Sequence, residues 1–341
     1  MLRSVMLKPK STWSVVATVH EPPAVVQVFV AWYLYLGASC VTLYFDAPDD
    51  PAADMVASIP GVRVIRCDAD HWRSLARARP GRHQIRQAKN ATHAYQSMDT
   101  AWLLHVDADE YLCPSMSVPA GLDGVEMTTQ CVIVPVAERM HEGPTAQTIF
   151  DGGFRRPYQG KRRDGRDLFG SDYDLTLRGL AGHVIGKSFV RGGQPLRMSI
   201  HRPKAMGPND LVTETADRFE LLHFDGLTRL QWVYKLLRKA DAVFHHNGMP
   251  PSPHRQRQID AVLKGPKAAL ALHDRVKHAD PELVAQLRAH DLWRERTFDP
   301  GAALAQVLPG VPIDLSPAAV DAWLWGQHAE LLRGFGLQPG G

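Results

Sequence analysis

The sequence predicts an α/β fold: a doubly wound, mostly parallel sheet flanked by helices, with a helical C-terminal extension. Three observations predict it. Apolar, β-branched segments alternate with helix-like segments four times within the first 106 residues. Acidic residues directly follow several of the apolar segments, as expected at the ligand-binding edge of a parallel sheet. From residue 226 onward, apolar positions recur mainly at helical spacing.

The first strands and the helix between them have clear boundaries. Residues 13–19 are β-branched and apolar, and the two prolines that follow stop this strand because proline cannot continue a central strand. Residues 24–36 are long enough for a helix, and Gly37 lies where a C-terminal cap belongs. Residues 40–45 predict the second strand.

Two further strands follow, each after a predicted helix. Asp50 is placed to cap a short helix with Pro51 in its first position. Residues 62–67 then predict the third strand. Apolar positions recur at helical spacing from 84 to 98, and residues 101–106 predict the fourth strand.

After residue 125 the alternation fades. Residues 143–172 are rich in glycine, arginine and proline, which predicts a long loop that is functional or mobile. The chain should therefore divide into an α/β domain at 1–225 and a mainly helical region at 226–341. The remaining predicted elements are strands at 131–136, 183–190 and 196–201 and helices at 227–244 and 255–295, with a break at 246–254.

The composition excludes several classes of protein. The net charge of +3 predicts no nucleic-acid partner, although residues 155–166 form a local basic cluster. The cysteines lack C-x-x-C spacing and predict free thiols in a reducing compartment. No leader-like segment or apolar run of about 18 residues is found, so a cytoplasmic protein is expected, with peripheral contact at the inner membrane left open. The four cysteines are Cys40, Cys67, Cys113 and Cys131.

The sequence WLLHVDADEYL at 102–112 carries the strongest chemical signal. Asp107 and Asp109 are separated only by Ala108, so a tight turn can direct both carboxylates toward one point. Mg²⁺ and Mn²⁺ take oxygen ligands of this kind and often complete their shell with phosphate oxygens. Solvated loop acids are the alternative interpretation. The position at the end of an apolar strand favours a cation and diphosphate site.

With this motif the chain resembles the glycosyltransferase family 2-like enzymes with a DADE-type metal motif. The resemblance runs over roughly residues 13–240 and includes the segment from 17 to 46, GKSFVR, SIH and LLHFDG. It implies the GT-A fold, a nucleotide-diphosphate sugar donor with UDP-sugar favoured, and Mn²⁺ or Mg²⁺. It also implies a saccharide or lipid-linked acceptor, inversion at the anomeric carbon and a role in surface-polysaccharide biosynthesis. The region 226–341 would then lie on the acceptor side or pack against the core.

The resemblance also implies roles for particular residues. Asp107 and Asp109 match the metal and diphosphate-binding pair, and His223 matches a downstream histidine that completes the metal shell, with His201 as a competitor. The resemblance also matches two acids at strand ends to the nucleoside pocket and three residues on the helix before the motif to the donor site, with a solvated charged face as the alternative for those three. A lysine in GKSFVR can meet an anionic group. These are Glu21, Asp46, Arg86, Lys89, Asn90 and Lys187.

An inverting transfer needs a general base for the acceptor hydroxyl. The candidates are Glu138, Glu142 and Asp151, of which Glu142 is preferred, although a surface position is the common fate of any such acid. The basic cluster 155–166 is placed to close over the donor diphosphate and exclude water. A solvated loop, or a patch for anionic lipid or polysaccharide, is the alternative.

Two rival functions stay open. A nucleotidyltransferase would use a similar sheet and carboxylate-bound Mg²⁺, but the glycine-rich, basic signature after the first strand is missing. A non-catalytic carbohydrate-binding protein is the other rival. Residues 182–188 imitate a phosphate-binding loop with the wrong spacing, and no G-x-G-x-x-G follows the first strand. A nucleoside triphosphatase and a dinucleotide oxidoreductase are therefore disfavoured.

Overall fold

The computed structural model describes residues 11–143, 146–245 and 250–339. Strands and helices within these residues are numbered in chain order. The strands are β1 Trp13–Val19, β2 Cys40–Phe45, β3 Val62–Arg66, β4 Trp102–His105, β5 Glu110–Pro114, β6 Cys131–Val134, β7 Val136–Met140, β8 Gly153–Arg155, β9 Lys187–Arg191, β10 Leu196–Arg197, β11 Lys204–Ala205, β12 Thr213–Thr215, β13 Phe219–His223 and β14 Trp293–Arg294. The helices are α1 Pro23–Tyr35, α2 Ala52–Ala57, α3 Ala69–Ala76, α4 His83–Gln96, α5 Val118–Asp123, α6 Arg162–Phe169, α7 Arg229–His245, α8 Pro253–Val262, α9 Pro266–Lys277, α10 Pro281–Ala289, α11 Gly301–Val307 and α12 Pro317–Gly334, with a 3₁₀ helix at Gly170–Leu175.

The central sheet has seven strands in the order β12-β6-β9-β4-β1-β2-β3. All of them run in one direction except β9, which is antiparallel to both of its neighbours. The predicted α/β class, a mostly parallel sheet flanked by helices with a helical C-terminal region, is confirmed. The carboxyl ends of β1, β2 and β4 meet at one edge. Because β9 runs the other way, its first residue, Lys187, lies at that same edge.

The elements predicted for the first 106 residues are confirmed, with one omission. Gly37, just beyond the end of α1, has φ +89°, a conformation that favours glycine. Asp50 Oδ1 accepts a hydrogen bond from Ala52 N (2.9 Å) at the start of α2. The missed element is α3. Its N-cap, Asp68, directly follows β3 and accepts a hydrogen bond from His71 N at 2.8 Å.

A second sheet of five strands, in the order β14-β8-β7-β13-β5, packs beside the first. The prediction of a single strand at 131–136 is wrong, because the chain passes from one sheet to the other at Pro135. β6 ends before this proline and β7 begins after it. Proline has no N–H to donate to a ladder, which suits the point where the chain leaves one sheet for the next.

The prediction of a loop over residues 143–172 is also wrong in part, because this segment includes β8, α6 and the start of the 3₁₀ helix. The helix α6 is almost entirely polar, so it has no helical pattern of apolar residues to detect. Arg162 and Arg166 both pair with Asp174, and the Phe169 ring stacks on Tyr173 with centroids 5.8 Å apart. Of the strand predicted at 196–201, only the two residues of β10 form one.

Residues beyond 226 contribute to the core of the sheets as well as to their own helical layer. The Phe298 ring lies 4.5 Å from both Trp32 and Tyr111 and 4.9 Å from Phe150. Helices α7 to α9 pack around a separate apolar cluster that includes Trp232. Of the predicted break at 246–254, residues 246–249 lie outside the described part of the chain, and α8 already begins at Pro253. The helix predicted over 255–295 is divided into α8, α9 and α10, followed by β14. Within the described residues, no helix is both long and apolar enough to span a bilayer.

Candidate active site

The acidic motif forms the turn between the central sheet and the second sheet. β4 ends at His105, and the chain turns through Asp107 and Asp109 before Glu110 opens β5. Glu110 is fully buried, and its Oε2 accepts a hydrogen bond from Asp107 N at 2.8 Å. The carboxylate of Glu110 therefore fixes the backbone of the turn. An acidic strand end here is a structural part of the fold as well as a source of charge.

Lys187, from the antiparallel strand β9, neutralises the turn. Its fully buried ammonium group lies 2.8 Å from Asp107 Oδ2 and 3.3 Å from Glu110 Oε2. Burial acts to lower the pKa of Lys187, but the two carboxylates outweigh it and the pKa is raised. Gln87 Nε2 donates to the other oxygen of Asp107 at 2.5 Å. Asp107 is thus oriented by two groups that the motif itself does not reveal.

Strand register brings a histidine to the same place. His223 in β13 lies opposite Glu110 of β5 on one side and Glu138 of β7 on the other. The His183 ring stacks on His223 at 4.7 Å, and the His201 ring contacts His183 edge-on at the same distance. One ligand atom each from Glu110, His183 and His223 lies within 4.8 Å of the others, a spacing that suits a single metal ion.

Several polar atoms of this cluster are buried without a hydrogen-bond partner in the described residues. Glu110 Oε1 and His183 Nε2 are 3.2 Å apart, but neither makes a hydrogen bond of acceptable geometry. His183 Nδ1, His201 Nδ1 and His223 Nδ1 also lack partners. Buried polar atoms of this kind call for a ligand, such as an ion or a water molecule. Oxygen and imidazole nitrogen donors together fit a divalent cation.

Asp109 meets the C-terminal helical layer. Lys235 Nζ in α7 donates to Asp109 Oδ2 at 2.5 Å, and His223 Nε2 lies 3.9 Å from the same oxygen. One turn earlier in α7, Gln231 Nε2 donates to Glu21 Oε2 at 2.9 Å. Burial raises the pKa of Glu21, although Lys235 opposes this. One face of α7 therefore holds both Glu21, from the end of β1, and Asp109.

Glu138 is brought beside the histidine cluster, deep in the structure. It is fully buried, accepts hydrogen bonds from Ala181 N (2.8 Å) and Gly182 N (2.6 Å), and faces Lys277 at 3.3 Å. A Cβ added at Gly182 would lie 2.7 Å from Glu138 Oε2, 3.1 Å from His223 and 3.2 Å from Asp225 Oδ2. Glycine suits this position because three buried side chains approach the place that a Cβ would occupy.

The other predicted bases lie elsewhere. Asp151 is exposed and closes a turn by accepting hydrogen bonds from the N–H groups of Gln147 and Thr148. Glu142 is exposed, and its negative charge helps to raise the pKa of Arg288 in α10. The structure therefore brings neither of them into the network of Asp107 and Asp109.

The predicted donor-binding residues at the end of β2 and on α4 are held by one another or by neighbouring groups of the protein. Arg86 binds Asp46 in a bidentate manner, at 2.7 and 2.6 Å, and both side chains are buried. Burial acts to raise the pKa of Asp46, but hydrogen bonds from His83 and Arg86 bring it well below its ordinary value. Asn90 is fully buried and donates to Thr18 Oγ1 at 3.0 Å. Lys89 is partly exposed, with Nζ 3.5 Å from Leu75 O.

The basic cluster 155–166 is held by acids of the chain itself. Arg155 is buried 3.8 Å from Glu138, and Arg156 pairs with Glu220 at 2.5 Å. Arg162 and Arg166 share Asp174, as described above. Four of the six cations in the cluster are therefore paired with acids, while Lys161 and Arg163 lie exposed at the surface.

Five residues of the network were not identified from sequence. Glu110 lies inside the motif but follows its D-x-D pair, and His183 lies in a segment considered only as an imitation of a phosphate loop. Gln87 and Lys235 lie in helices and Asp225 follows a strand, and no pattern in the neighbouring sequence marks these three as site residues. The five are Gln87, Glu110, His183, Asp225 and Lys235.

Comparisons with known proteins find no family model and no curated protein that matches the chain. Among solved structures, the S. aureus TarS fragment 1-349 is 13% identical, with 91% of this chain and 82% of that chain covered and a TM-score of 0.32. GalNAc-T7 with UDP, GalNAc and Mn²⁺ is 12% identical, with 73% and 53% covered and a TM-score of 0.30. The 4-diphosphocytidyl-2C-methyl-D-erythritol synthase of Anaerococcus prevotii is 12% identical, with 42% and 61% covered and a TM-score of 0.26. Similarity of this degree assigns neither a family nor an activity to the chain.

Proposed function

We propose that this chain is a metal-dependent glycosyltransferase that moves a sugar from a nucleotide-diphosphate sugar to a saccharide or lipid-linked acceptor. A UDP-sugar is the favoured donor, and transfer proceeds with inversion. The observation that carries the proposal is the cluster at the carboxyl edge of the central sheet. There Glu110, His183 and His223 have buried polar atoms that make no hydrogen bond in the described residues, and Asp109 lies 3.9 Å from His223.

A divalent cation fits this cluster. Glu110, His183 and His223 would supply the donor atoms, with His201 adjacent, and Asp109 Oδ2, 3.9 Å from His223 Nε2, would join them once Lys235 releases it. The mixture of carboxylate oxygens and imidazole nitrogens favours Mn²⁺ over Mg²⁺, which prefers oxygen ligands alone. Bound there, the cation would neutralise the donor diphosphate and stabilise it as a leaving group. Asp107 is the member of the motif that Lys187 and Gln87 already orient, so its place is beside the cation and toward the donor.

Lys235 would compete with the cation in this proposal. Its ammonium group donates a hydrogen bond to the oxygen of Asp109 that faces His223. A cation on Asp109 would displace it, and the freed ammonium group would then be available to the donor diphosphate. Lys235 is partly exposed, with 22% of its side chain accessible, so it can move without leaving a buried void.

Asp225 is the base we propose in place of Glu142. Asp225 Oδ2 is buried without a hydrogen-bond partner in the described residues and approaches Gly182 beside His223. Arg255 lies 3.6 Å away and keeps the carboxylate ionised. An ionised carboxylate next to the cation site can accept the acceptor hydroxyl proton as that oxygen attacks the sugar. Glu138, already bound by two N–H groups, holds the loop that carries Gly182.

The test is a panel of nucleotide sugars screened with and without Mn²⁺, followed by transfer assays on Asp109→Ala. Ligand binding to the native state raises the melting temperature, so a donor should stabilise the wild type only when the cation is present. Asp109→Ala should abolish transfer and keep its fold, whereas the exposed control Asp210→Ala should behave as wild type. Full activity in the presence of a chelator would refute the metal role.

The same experiments separate the rival functions. Condensation of a nucleoside triphosphate with a sugar phosphate would indicate a nucleotidyltransferase. Carbohydrate binding without any nucleotide binding in Mn²⁺ would indicate a non-catalytic protein.

A further inference from the structure

A second group of histidines lies where β7 and α9 meet, outside the network of the acidic turn. His141 directly follows β7, while His273 and Asp274 lie in the last turns of α9 and His278 follows its end. The backbone fixes this arrangement. His141 N donates to Lys277 O, and Ala279 N donates to His141 O, both at 2.8 Å. His141 and His278 are therefore held side by side as a parallel bridge.

The three imidazole rings contact one another. Their centroids are 5.3 Å apart for His141 and His273, 5.1 Å for His141 and His278, and 5.8 Å for His273 and His278. The carboxylate of Asp274 divides its two oxygens between different partners. Oδ2 pairs with Arg229, while Oδ1 lies 3.2 Å from His273 Nδ1 and 3.8 Å from His278 Nε2. One oxygen and two ring nitrogens thus converge on a common point.

These separations match a tetrahedral metal shell. Zinc binds histidine nitrogen and carboxylate oxygen at about 2.0–2.2 Å, which places neighbouring tetrahedral ligands roughly 3.3–3.5 Å apart. The observed 3.2 and 3.8 Å bracket this value, and the three ligand atoms all lie within 4.8 Å of one another. Arg229 is the kind of outer partner that orients a ligating carboxylate.

The three ligands lie where the interior of the protein meets its surface. His273 is 1% exposed, whereas the side chains of His278 and Asp274 are 37% and 44% exposed. One ligand is therefore fixed in the core, and an ion can reach the other two from solvent.

We propose that His273, Asp274 and His278 bind one transition-metal ion of the zinc class at the end of α9. A water molecule is the fourth ligand, and the His141 ring packs against the rings of the two ligating histidines. The site does not depend on the proposed glycosyltransferase activity, because none of its ligands belongs to the cluster around Asp109 and His223.

The test uses the full chain stripped with a chelator and titrated with Co²⁺, whose visible absorption reports tetrahedral coordination, and with Zn²⁺ followed by metal analysis. The wild type should bind one equivalent more than His278→Ala, and zinc should raise the melting temperature of the wild type by more than that of the variant. Asp274→Asn tests the same site if His278→Ala does not fold. Both variants should weaken zinc binding at this site at least about tenfold.

Two controls make the result specific. His290→Ala removes an exposed histidine at the end of α10 and should keep the extra equivalent. His223→Ala should keep the tetrahedral cobalt spectrum of this site even if it loses an ion from the acidic turn. The proposal is overturned if His278→Ala and Asp274→Asn bind as many equivalents as the wild type with the same spectrum, or if the wild type binds no metal here.

Discussion

Removing the positive charge of Lys187 should destabilise the protein more than any exposed substitution. The change Lys187→Met keeps much of the aliphatic volume and deletes the ammonium group. It leaves Asp107 and Glu110, which both contact that group, as neighbouring carboxylates with no cation between them. Glu110 and the ammonium group are fully buried, while the Asp107 side chain is 28% exposed.

The size of the effect follows from this geometry. Unit charges 2.8 and 3.3 Å apart attract by about 6 and about 5 kcal/mol at an effective dielectric constant near 20, before the desolvation of the ammonium group is subtracted. Breaking a buried pair by removing one partner costs about 3–5 kcal/mol. Gln87 still donates to Asp107, so we expect about 3–4 kcal/mol. For a protein of 341 residues that lowers the melting temperature by roughly 5 °C.

Urea unfolding at pH 7 measures the loss directly, with the exposed Lys204→Met as the matched control, expected within about 0.5 kcal/mol of wild type. Two further results separate a charge effect from a packing effect. Adding Glu110→Gln to Lys187→Met should restore part of the stability, because one of the unpaired charges is removed. The deficit of Lys187→Met should also shrink from pH 7 toward pH 4, as the unneutralised carboxylates take up protons. A Lys187→Met variant within 1 kcal/mol of wild type would refute the reasoning.

Three further predictions concern the surroundings of the site. Gly182→Ala should cost about 1–3 kcal/mol and weaken donor binding, because its Cβ would lie 2.7 Å from a carboxylate oxygen that two N–H groups hold in place. The open-space control Gly124→Ala should be near neutral in urea unfolding, and equal losses for the two would contradict the prediction. Lys235→Met should raise the Mn²⁺ affinity of the donor-free protein about tenfold and weaken donor affinity in calorimetry, because the competing ammonium group is gone; unchanged affinities would contradict it. Asp46→Asn should cost about 3 kcal/mol at pH 7 by leaving a buried guanidinium unpaired. Because the folded pKa of Asp46 is depressed below its ordinary 3.8, the wild type should lose about 1 kcal/mol from this group between pH 5 and 3, and the variant should lose none of it; parallel pH profiles would contradict this.

The fold was predictable where local chemistry and tertiary structure agree. Gly37 is needed by the end of α1 in any context, and β-branched runs such as 13–19 form buried strands wherever a parallel sheet is built. The failures lie where the signal is not local. Pro135 separates two strands that belong to different sheets, and only the assembled structure shows the second sheet. The helix α6 is polar on nearly all sides, so periodicity cannot reveal it.

The candidate site divides in the same way. Asp107 and Asp109 are visible because they are close in sequence, and the resemblance to a family supplied His223. Lys187 and Lys235 contact those same carboxylates across 80 and 126 residues, so no local pattern could assign them as partners. Sequence spacing identifies the acidic motif, whereas the direction of β9 and the packing of α7 determine which lysines contact it.

The register of the second sheet explains how buried negative charge is tolerated at this end of its strands. Glu110, His223 and Glu138 lie at matched positions of three neighbouring strands, β5, β13 and β7. The two acids flank one imidazole, and each is neutralised by its own buried lysine, Lys187 for Glu110 and Lys277 for Glu138. Because each inward acid has a fixed counter-charge, the sheet tolerates them without an ion. The atoms of this cluster that make no hydrogen bond in the described residues are Glu110 Oε1, both ring nitrogens of His183, and Nδ1 of His201 and of His223, and the cation site proposed above rests on them.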